Sequence, residues 1–334
     1  MLESVGAPDG TTKFVDQVVS FAPADVRFTY FSWARALLGP YDVFHIHWPE
    51  FLIRGRSGPV RMVRTALTVA LLLRLWATKT PVVRTMHNVV PHETGGAVER
   101  ALLRRVDRCT ALFVTLSEAT PVTEEAPRKI IRHGHYKGVL TADRARARTH
   151  RMIAFGRVEP YKNNLELIRT FSSLQDPSAE LRIVGKASSQ MAEELRQAAA
   201  EDRRVGFHFD FVSDAQMVHE ITASQLVVLP YTEMHNSGVV LVALSLERPV
   251  LVPRTATNEI LAREVGEEWL LMFDPPLEAR HLIGALEATS GALVTKPRLD
   301  DRDWEAVAAA YAEAFRAVLG KKRGKRLKDG TRAR

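Results

Sequence analysis

The chain has 334 residues, above the size at which one hydrophobic core stops growing, so two domains are expected. Apolar residues make up 46% and charged residues 25%, which excludes a disordered or collagenous chain. The formal net charge of +7 is confined to the end: residues 321–334 (KKRGKRLKDGTRAR) hold 8 basic and 1 acidic side chain, leaving 38 basic against 38 acidic elsewhere. A single cysteine, Cys109, excludes a disulfide scaffold and a four-thiolate metal site and fits a reducing compartment.

The opening MLESVGAPDG does not have the basic start and apolar run of an export signal. Short apolar or β-branched runs at 1–5, 26–30, 43–47, 82–86, 112–116 and 129–132 predict strands, with helices over 13–21, 60–77 and 97–108. The most apolar stretch, 60–77, offers only 65–73 between Arg64 and Arg74, too few residues to span about 30 Å of hydrocarbon, so no transmembrane helix is expected. A second run of strands, at 152–155, 181–184, 206–209, 226–229, 250–252 and 269–272, alternates with helices over 164–173, 190–200, 214–222, 238–246 and 278–288. Strands separated by helices imply βαβ units and parallel sheets. The expected fold is therefore α/β, with two doubly wound, Rossmann-like domains facing across a cleft. The polar segment 137–150 marks the boundary, giving domains over 1–145 and 146–320. A last amphipathic helix over 304–319 closes the second domain, and a disordered basic tail occupies 321–334.

Such folds bind ligands beyond the carboxyl ends of their strands, so the loops there are the places to search. AFGRVEPYKNN (154–164) follows a strand, and its glycine turn, Arg157 and Lys162 at a helix entry suit a diphosphate; a surface loop with a routine ion pair is the plain alternative. LPYTEMHNSGVVLVAL (229–244) places Asn236, Ser237 and Gly238 at the next helix start. Capping alone would explain these three, but Ser-Gly also admits an anion to backbone N–H groups, and Glu233 and His235 are polar groups that capping does not require. FHIHWPE (44–50) sets His45 and His47 on one face of a strand, followed by Glu50. RTMHNVVPHE (84–93) supplies His87 and Asn88 at a strand end and His92 and Glu93 beyond it, and RHGHYKG (132–138) adds His133 and His135. A strand-end histidine can orient a substrate or act on a leaving phosphate, or simply fasten its loop.

Other patterns are discounted. Asp301-Arg302-Asp303 spells DxD but precedes a helix, where acidic residues cap it and oppose the dipole. P-loop, GxGxxG and GxSxG fingerprints are absent, as is zinc-type spacing, and no metal or other cofactor is expected. Residues 54–84 carry seven basic side chains and no acidic one beside the apolar helix, which suits an anionic membrane surface as well as it suits a partly buried helix with solvated ends. The tail lacks interleaved aromatics, so nucleic acid is not an expected partner.

DVFHIHWPE (42–50), TMHNVVPHE (85–93), GRVEPYKN (156–163) and NSGVVLVALSLERPVLVP (236–253) together resemble the GT-B glycosyltransferases, especially the bacterial enzymes of exopolysaccharide and glycolipid synthesis. The resemblance spans about residues 1–320. It implies a nucleoside diphosphate sugar, with GDP-mannose suggested, held by the second domain, and a lipid-linked or glycolipid acceptor held by the first. Arg157 and Lys162 would contact the diphosphate, the Asn236–Gly238 loop would hold phosphate or sugar with Glu233 beside it, and His87 would face the sugar or leaving phosphate. His47, Asn88 and His135 are placed toward the acceptor. The sequence departs from the retaining pattern of two glutamates seven residues apart: Glu233 could be the first, but 241 is Leu and 242 is Val. Inversion would require a base, for which Glu50, Glu93 and Asp16 are candidates; retention would not. The expected enzyme is metal-independent, cytoplasmic, and peripheral on the inner membrane face through 54–84 and the tail. A sugar-nucleotide epimerase of the same fold and a non-catalytic binder of nucleotide-sugars or nucleic acid are the alternatives.

Overall fold

The computed structural model describes the chain except for residues 8–12, 88–94, 123–126, 292–293 and 332–334, together with the side chains of Lys13 and of 321–331. The chain divides into two units, Met1–Gly134 with Asp301–Arg334, and His135–Asp300.

The first unit runs β1 (Leu2–Glu3), α1 (Lys13–Ser20), α2 (Trp33–Leu38), β2 (Phe44–Ile46), a 3-10 turn (Pro49–Leu52), α3 (Gly58–Ala77), β3 (Val82–Met86), α4 (Ala97–Cys109), β4 (Thr110–Thr115) and β5 (Arg128–Ile130). The strands form one parallel sheet in the order β1-β2-β3-β4-β5. The expected strand over 26–30 is reduced to a bridge from Thr29 to Leu2, because it lies at the sheet edge with one neighbour. Backbone hydrogen bonds still run along it, from Glu3 N–H to Thr29 O and from Thr29 N–H to Met1 O, both 2.9 Å. The chain thus passes from β1 to one side and then returns to the other for β2, which puts a topological switch point at the carboxyl end of β1. Alternation divides the sheet's faces. Leu2, Phe44, Ile46 and Val82 face a core with Leu71, Leu72, Leu75 and Val106 from α3 and α4, whereas Glu3, His45, His47, Thr85 and His87 occupy the odd positions.

The second unit runs β6 (Arg148–Phe155), a 3-10 turn (Pro160–Lys162), α5 (Asn164–Ser172), β7 (Glu180–Val184), α6 (Ser189–Ala199), β8 (Val205–His208), α7 (Asp214–Thr222), β9 (Ser224–Val228), α8 (Gly238–Ser245), β10 (Val250–Pro253), α9 (Ala256–Val265), β11 (Leu270–Phe273) and α10 (Ala279–Ala288). Its parallel sheet has the order β11-β10-β9-β6-β7-β8, so the direction of winding reverses between β6 and β9. α8 is apolar all round and buried from Val240 to Ser245, as a helix enclosed on all sides should be. The helices α2 and α9 fall in stretches where no helix was expected.

The last helix, α11 (Trp304–Thr331), corrects two expectations. It belongs to the first unit and not the second: Tyr311 is fully buried with its hydroxyl 3.0 Å from Thr85 Oγ1, Phe315 packs 5.3 Å from the His45 ring, and Arg316 pairs with Asp25. It also continues through most of the basic segment expected to be disordered. The first domain ends earlier than residue 145, at Gly134, where a Cβ would lie 2.5 Å from the Trp304 ring.

Candidate active site

In the second unit, the winding reversal brings the loops after β6 and β9 together. β6 ends at Phe155, and Gly156 takes φ +92°, a turn that disfavours side chains. A methyl group in place of the Gly156 hydrogen would sit 3.0 Å from Lys162 Nζ and 3.7 Å from Val239 Cγ2 in the first turn of α8. Gly156 therefore makes room for the lysine beside that helix start. The loops are tied by the Thr232 N–H, which donates to Tyr161 O at 2.9 Å, and by edge-to-face packing of Tyr161 on Tyr231 at 5.7 Å. Lys162 is 6% exposed, and its ammonium lies 5.3 Å from the Tyr231 ring centroid. Burial, partly offset by Glu159, lowers its pKa to about 8. Arg157, by contrast, projects outward with its side chain 70% exposed and its Nε 3.9 Å from Glu159. It borders a cavity of about 750 Å³ beyond the ends of β6 and β7, lined also by Asn163, Lys186, Ser188 and Gln190.

Ser237 occupies the N-cap position of α8 without a side-chain capping bond, so routine capping does not account for it. Asn236, Ser237 and Gly238 are all partly exposed, and Glu233 is exposed. Leu241 and Val242, where a second glutamate would stand, are buried in α8. His135 was expected on the acceptor side with the first domain, but it is the first residue of the second unit, with its Nδ1 3.4 Å from Lys137 N.

In the first unit, the odd-numbered residues at the carboxyl ends of β1, β2 and β3 form a buried chain of hydrogen bonds. Glu3 Oε1 meets His45 Nδ1 at 2.9 Å and Glu3 Oε2 meets His47 Nε2 at 3.1 Å. His47 Nδ1 lies 2.9 Å from His87 Nε2, and His45 Nε2 lies 2.8 Å from Thr85 Oγ1. His87 stacks on Trp48 at 4.4 Å, and Phe14 of α1 packs edge-on against it at 5.0 Å. Burial raises the Glu3 pKa, but the two imidazoles outweigh it and hold the group down at about 2. Burial lowers His47 to about 4 and His87 well below the usual histidine range; like-charge repulsion from neighbouring histidines adds to both shifts. Glu3, His45 and His47 each offer a ligand atom within 4.8 Å of the others, a spacing compatible with a metal ion. Here the carboxylate oxygens go one to each imidazole, and the remaining ring nitrogens are engaged by Thr85 and His87.

Motif spacing points to His45, His47 and His87 but not to Glu3, Thr85, Tyr311 or Tyr231. The signal for Glu3 was a carboxylate inside the apolar opening strand. Glu50 lies in the 3-10 turn after β2, buried, with its pKa raised by that burial. Glu93 and Asn88 lie outside the described residues. Of the basic residues in 54–84, Arg54 pairs with Glu99 and Arg84 with Asp107, both partners from α4. Arg64 and Arg74 bond to backbone carbonyls, leaving Arg56, Arg61 and Lys79 exposed.

Comparison with known proteins agrees with this architecture. Residues 149–288, from β6 through α10, match the family model described as glycosyl transferases group 1. The chain is 38% identical over 325 residues, 96% of its length and 93% of the relative's, to a protein of Xanthomonas campestris pv. campestris named GDP-mannose:glycolipid 4-beta-D-mannosyltransferase. Among solved structures, the sucrose-phosphate synthase of Thermosynechococcus elongatus superposes with a TM-score of 0.68 at 14% identity, covering 96% of this chain and 98% of that one. Anabaena HepE in complex with UDP and glucose gives 0.61 at 16% identity, covering 98% of both. The paired parallel sheets, the group 1 domain and the full-length relative lead to one conclusion: the chain belongs to the GT-B glycosyltransferases.

Proposed function

We propose that this glycosyltransferase moves mannose from GDP-mannose to a glycolipid acceptor, with the donor held by the second unit and the acceptor by the first. The observation that carries the donor assignment is Lys162, a buried cation at the winding reversal that no ion pair holds among the described residues. An unpaired buried ammonium is costly to the fold, and an incoming diphosphate would supply its counter-charge. Glycosyl transfer passes through an oxocarbenium-like state while negative charge grows on the leaving diphosphate. Lys162, Arg157 and the N–H groups opening α8 around Ser237 and Gly238 are suited to stabilise that charge, so the reading needs no metal cofactor. The named relative uses GDP-mannose and forms a β-linkage. Since GDP-mannose is α-linked, a β-mannoside requires inversion and hence a group that takes the acceptor's proton. The buried Leu241, where a retaining partner glutamate would stand, is consistent with that outcome.

The glycolipid half of the reading is supported by α3. Its inner face buries Thr68, Leu71, Leu72 and Leu75, yet its outer face is apolar too, with Met62, Val69, Leu73 and Trp76 in one exposed stripe and Trp76 73% accessible. Phe51, in the 3-10 turn before α3, is exposed as well, and the exposed Arg56, Arg61 and Lys79 lie near the ends of α3 in the chain. No helix among the described residues is long and apolar enough to cross a membrane. An apolar stripe with exposed cations at its ends, unpaired among the described residues, suits shallow insertion among anionic headgroups. The tail would add attraction to the same surface.

The test is transfer of label from GDP-[14C]mannose to bacterial glycolipid extracts, with an acceptor-free control. The expected result is labelled lipid that appears only with acceptor. Turnover without acceptor would instead favour the epimerase, and no labelled lipid from GDP-mannose would contradict the donor assignment.

A further inference from the structure

We propose that the Tyr231 hydroxyl donates a hydrogen bond to the diphosphate of the sugar donor, beside the Lys162 ammonium. The inference rests on the donor assignment made above and adds a residue to it.

Tyr231 follows β9 in the loop that leads to α8, and it is 6% exposed. Its hydroxyl is buried and has no hydrogen-bond partner among the described residues. Other covered phenols of the chain are satisfied: Tyr311 shares a 3.0 Å bond with Thr85 Oγ1, and Tyr41 donates to Ala36 O at 2.7 Å. A buried hydroxyl without a partner loses its bonds to water and gains none in the protein. Phenylalanine would pack edge-on against Tyr161 at the same 5.7 Å and offer Lys162 the same ring, without that loss. The packing of this loop alone therefore gives no reason for the oxygen.

The surroundings point to an anion. Lys162 Nζ lies 5.3 Å from the Tyr231 ring centroid, and the ammonium likewise has no hydrogen bond or ion pair among the described residues. Two buried donors without acceptors thus stand side by side on the loops after β6 and β9, at the winding reversal where such sheets bind ligands. The start of α8 converges on the same place: a methyl group on Gly156 would lie 3.0 Å from Lys162 Nζ and 3.7 Å from Val239 Cγ2. A phenol, an ammonium and the first N–H groups of a helix all donate. Their complement is a ligand rich in acceptor oxygens and negative charge, which a diphosphate is.

Electrostatics ties the phenol to the cavity side of the loops. Burial pushes the Tyr231 pKa well above the usual phenol range, and the Tyr161 phenol adds to the shift. Tyr161 is itself raised by burial and by Glu159 and held back by Arg157, and these two charged residues border the cavity of about 750 Å³. Tyr231 is therefore a neutral O–H donor through the neutral pH range. It keeps its proton while the bond from sugar to diphosphate breaks, and its hydrogen bond strengthens as charge grows on the leaving oxygens.

The experiment is calorimetric titration of the full chain and of Tyr231→Phe with GDP and with inorganic pyrophosphate, beside thermal melts of both proteins. Tyr231→Phe is expected to bind each ligand about tenfold more weakly or worse, as for loss of a hydrogen bond to a charged group. It should melt at a temperature equal to or above that of the wild type, because the lost hydroxyl had no partner. Unchanged affinity for both ligands overturns the proposal. So does a variant that melts lower or fails to fold, since the hydroxyl would then serve the fold. A loss confined to GDP, with pyrophosphate bound equally by the two proteins, also overturns it, because the hydroxyl would then touch the nucleoside. Failure of the function reading is separable: a wild type that binds pyrophosphate but not GDP loses the GDP assignment, and the variant is then compared with pyrophosphate. A wild type that binds neither ligand overturns both.

Discussion

The two units place charge at the ends of their strands in opposite ways. In the first, Glu3 and three histidines are buried and answer one another, each carboxylate oxygen with its own imidazole. In the second, Lys162 is nearly as deeply buried, but its named neighbours are an aromatic ring and a space kept open by Gly156. A satisfied buried network is rigid and sets proton positions; an unsatisfied buried cation is a site waiting for an anion. The contrast separates a buried network closed on itself from a buried cation that, in the function proposed above, would hold the donor's diphosphate.

The comparison can be broken or sharpened at several points. The largest effect is expected from Gly156→Val, which puts a branched side chain at φ +92° and against Lys162 Nζ. Nucleotide binding should be lost in calorimetry and the melting temperature should fall by several degrees, since strain of this kind costs about 1–3 kcal/mol. Next is acid sensitivity of the first unit. The lowered folded pKa values of His47 and His133, both about 4, give stability that is complete above about 6.5 and lost as pH falls toward 4. Glu3, lowered to about 2, gives stability complete above 4.5 and lost below it. Thermal melts should therefore decline from pH 6.5 downward, and a flat profile from pH 7 to 4.5 would contradict the buried network. Trp76→Ser with Leu73→Ser should weaken flotation with anionic liposomes by about tenfold and leave the melting temperature nearly unchanged, because both side chains are exposed. The smallest effect is Arg157→Ala, about tenfold in GDP affinity with unaltered stability, as expected of a cation 70% exposed.

The alternation of apolar runs with amphipathic stretches was enough to read two parallel α/β units and most of their strands. Lys162, Ser237 and Gly238 stand out in the sequence as candidates because a glycine turn and a cation, and in the next loop a helix start, follow strands within a few residues. The departures come from contacts distant in sequence. Tyr311 and Phe315 carry α11 back to the first unit because of Thr85 and His45, more than 200 residues earlier, which chain order does not reveal. The same holds for the basic stretch 54–84, whose apparent excess is partly cancelled by Glu99 and Asp107 on the neighbouring helix. Glu3 looked like one polar residue in a short strand; only the register pairing Glu3 with His45 and placing His47 at the next odd position gives it a partner on each oxygen.

The most direct test of the central claim is isothermal titration of GDP into wild type and Lys162→Met between pH 6.5 and 9.5. The account predicts that wild-type affinity is highest below about pH 8 and falls as the lysine loses its proton above it. It predicts that Lys162→Met binds about 100-fold more weakly at pH 7, with no inflection near pH 8, and melts at a temperature equal to or above that of the wild type, because a costly buried charge is gone. Equal GDP affinity for the two proteins across this range would contradict the assignment of the donor site to the second unit's winding reversal.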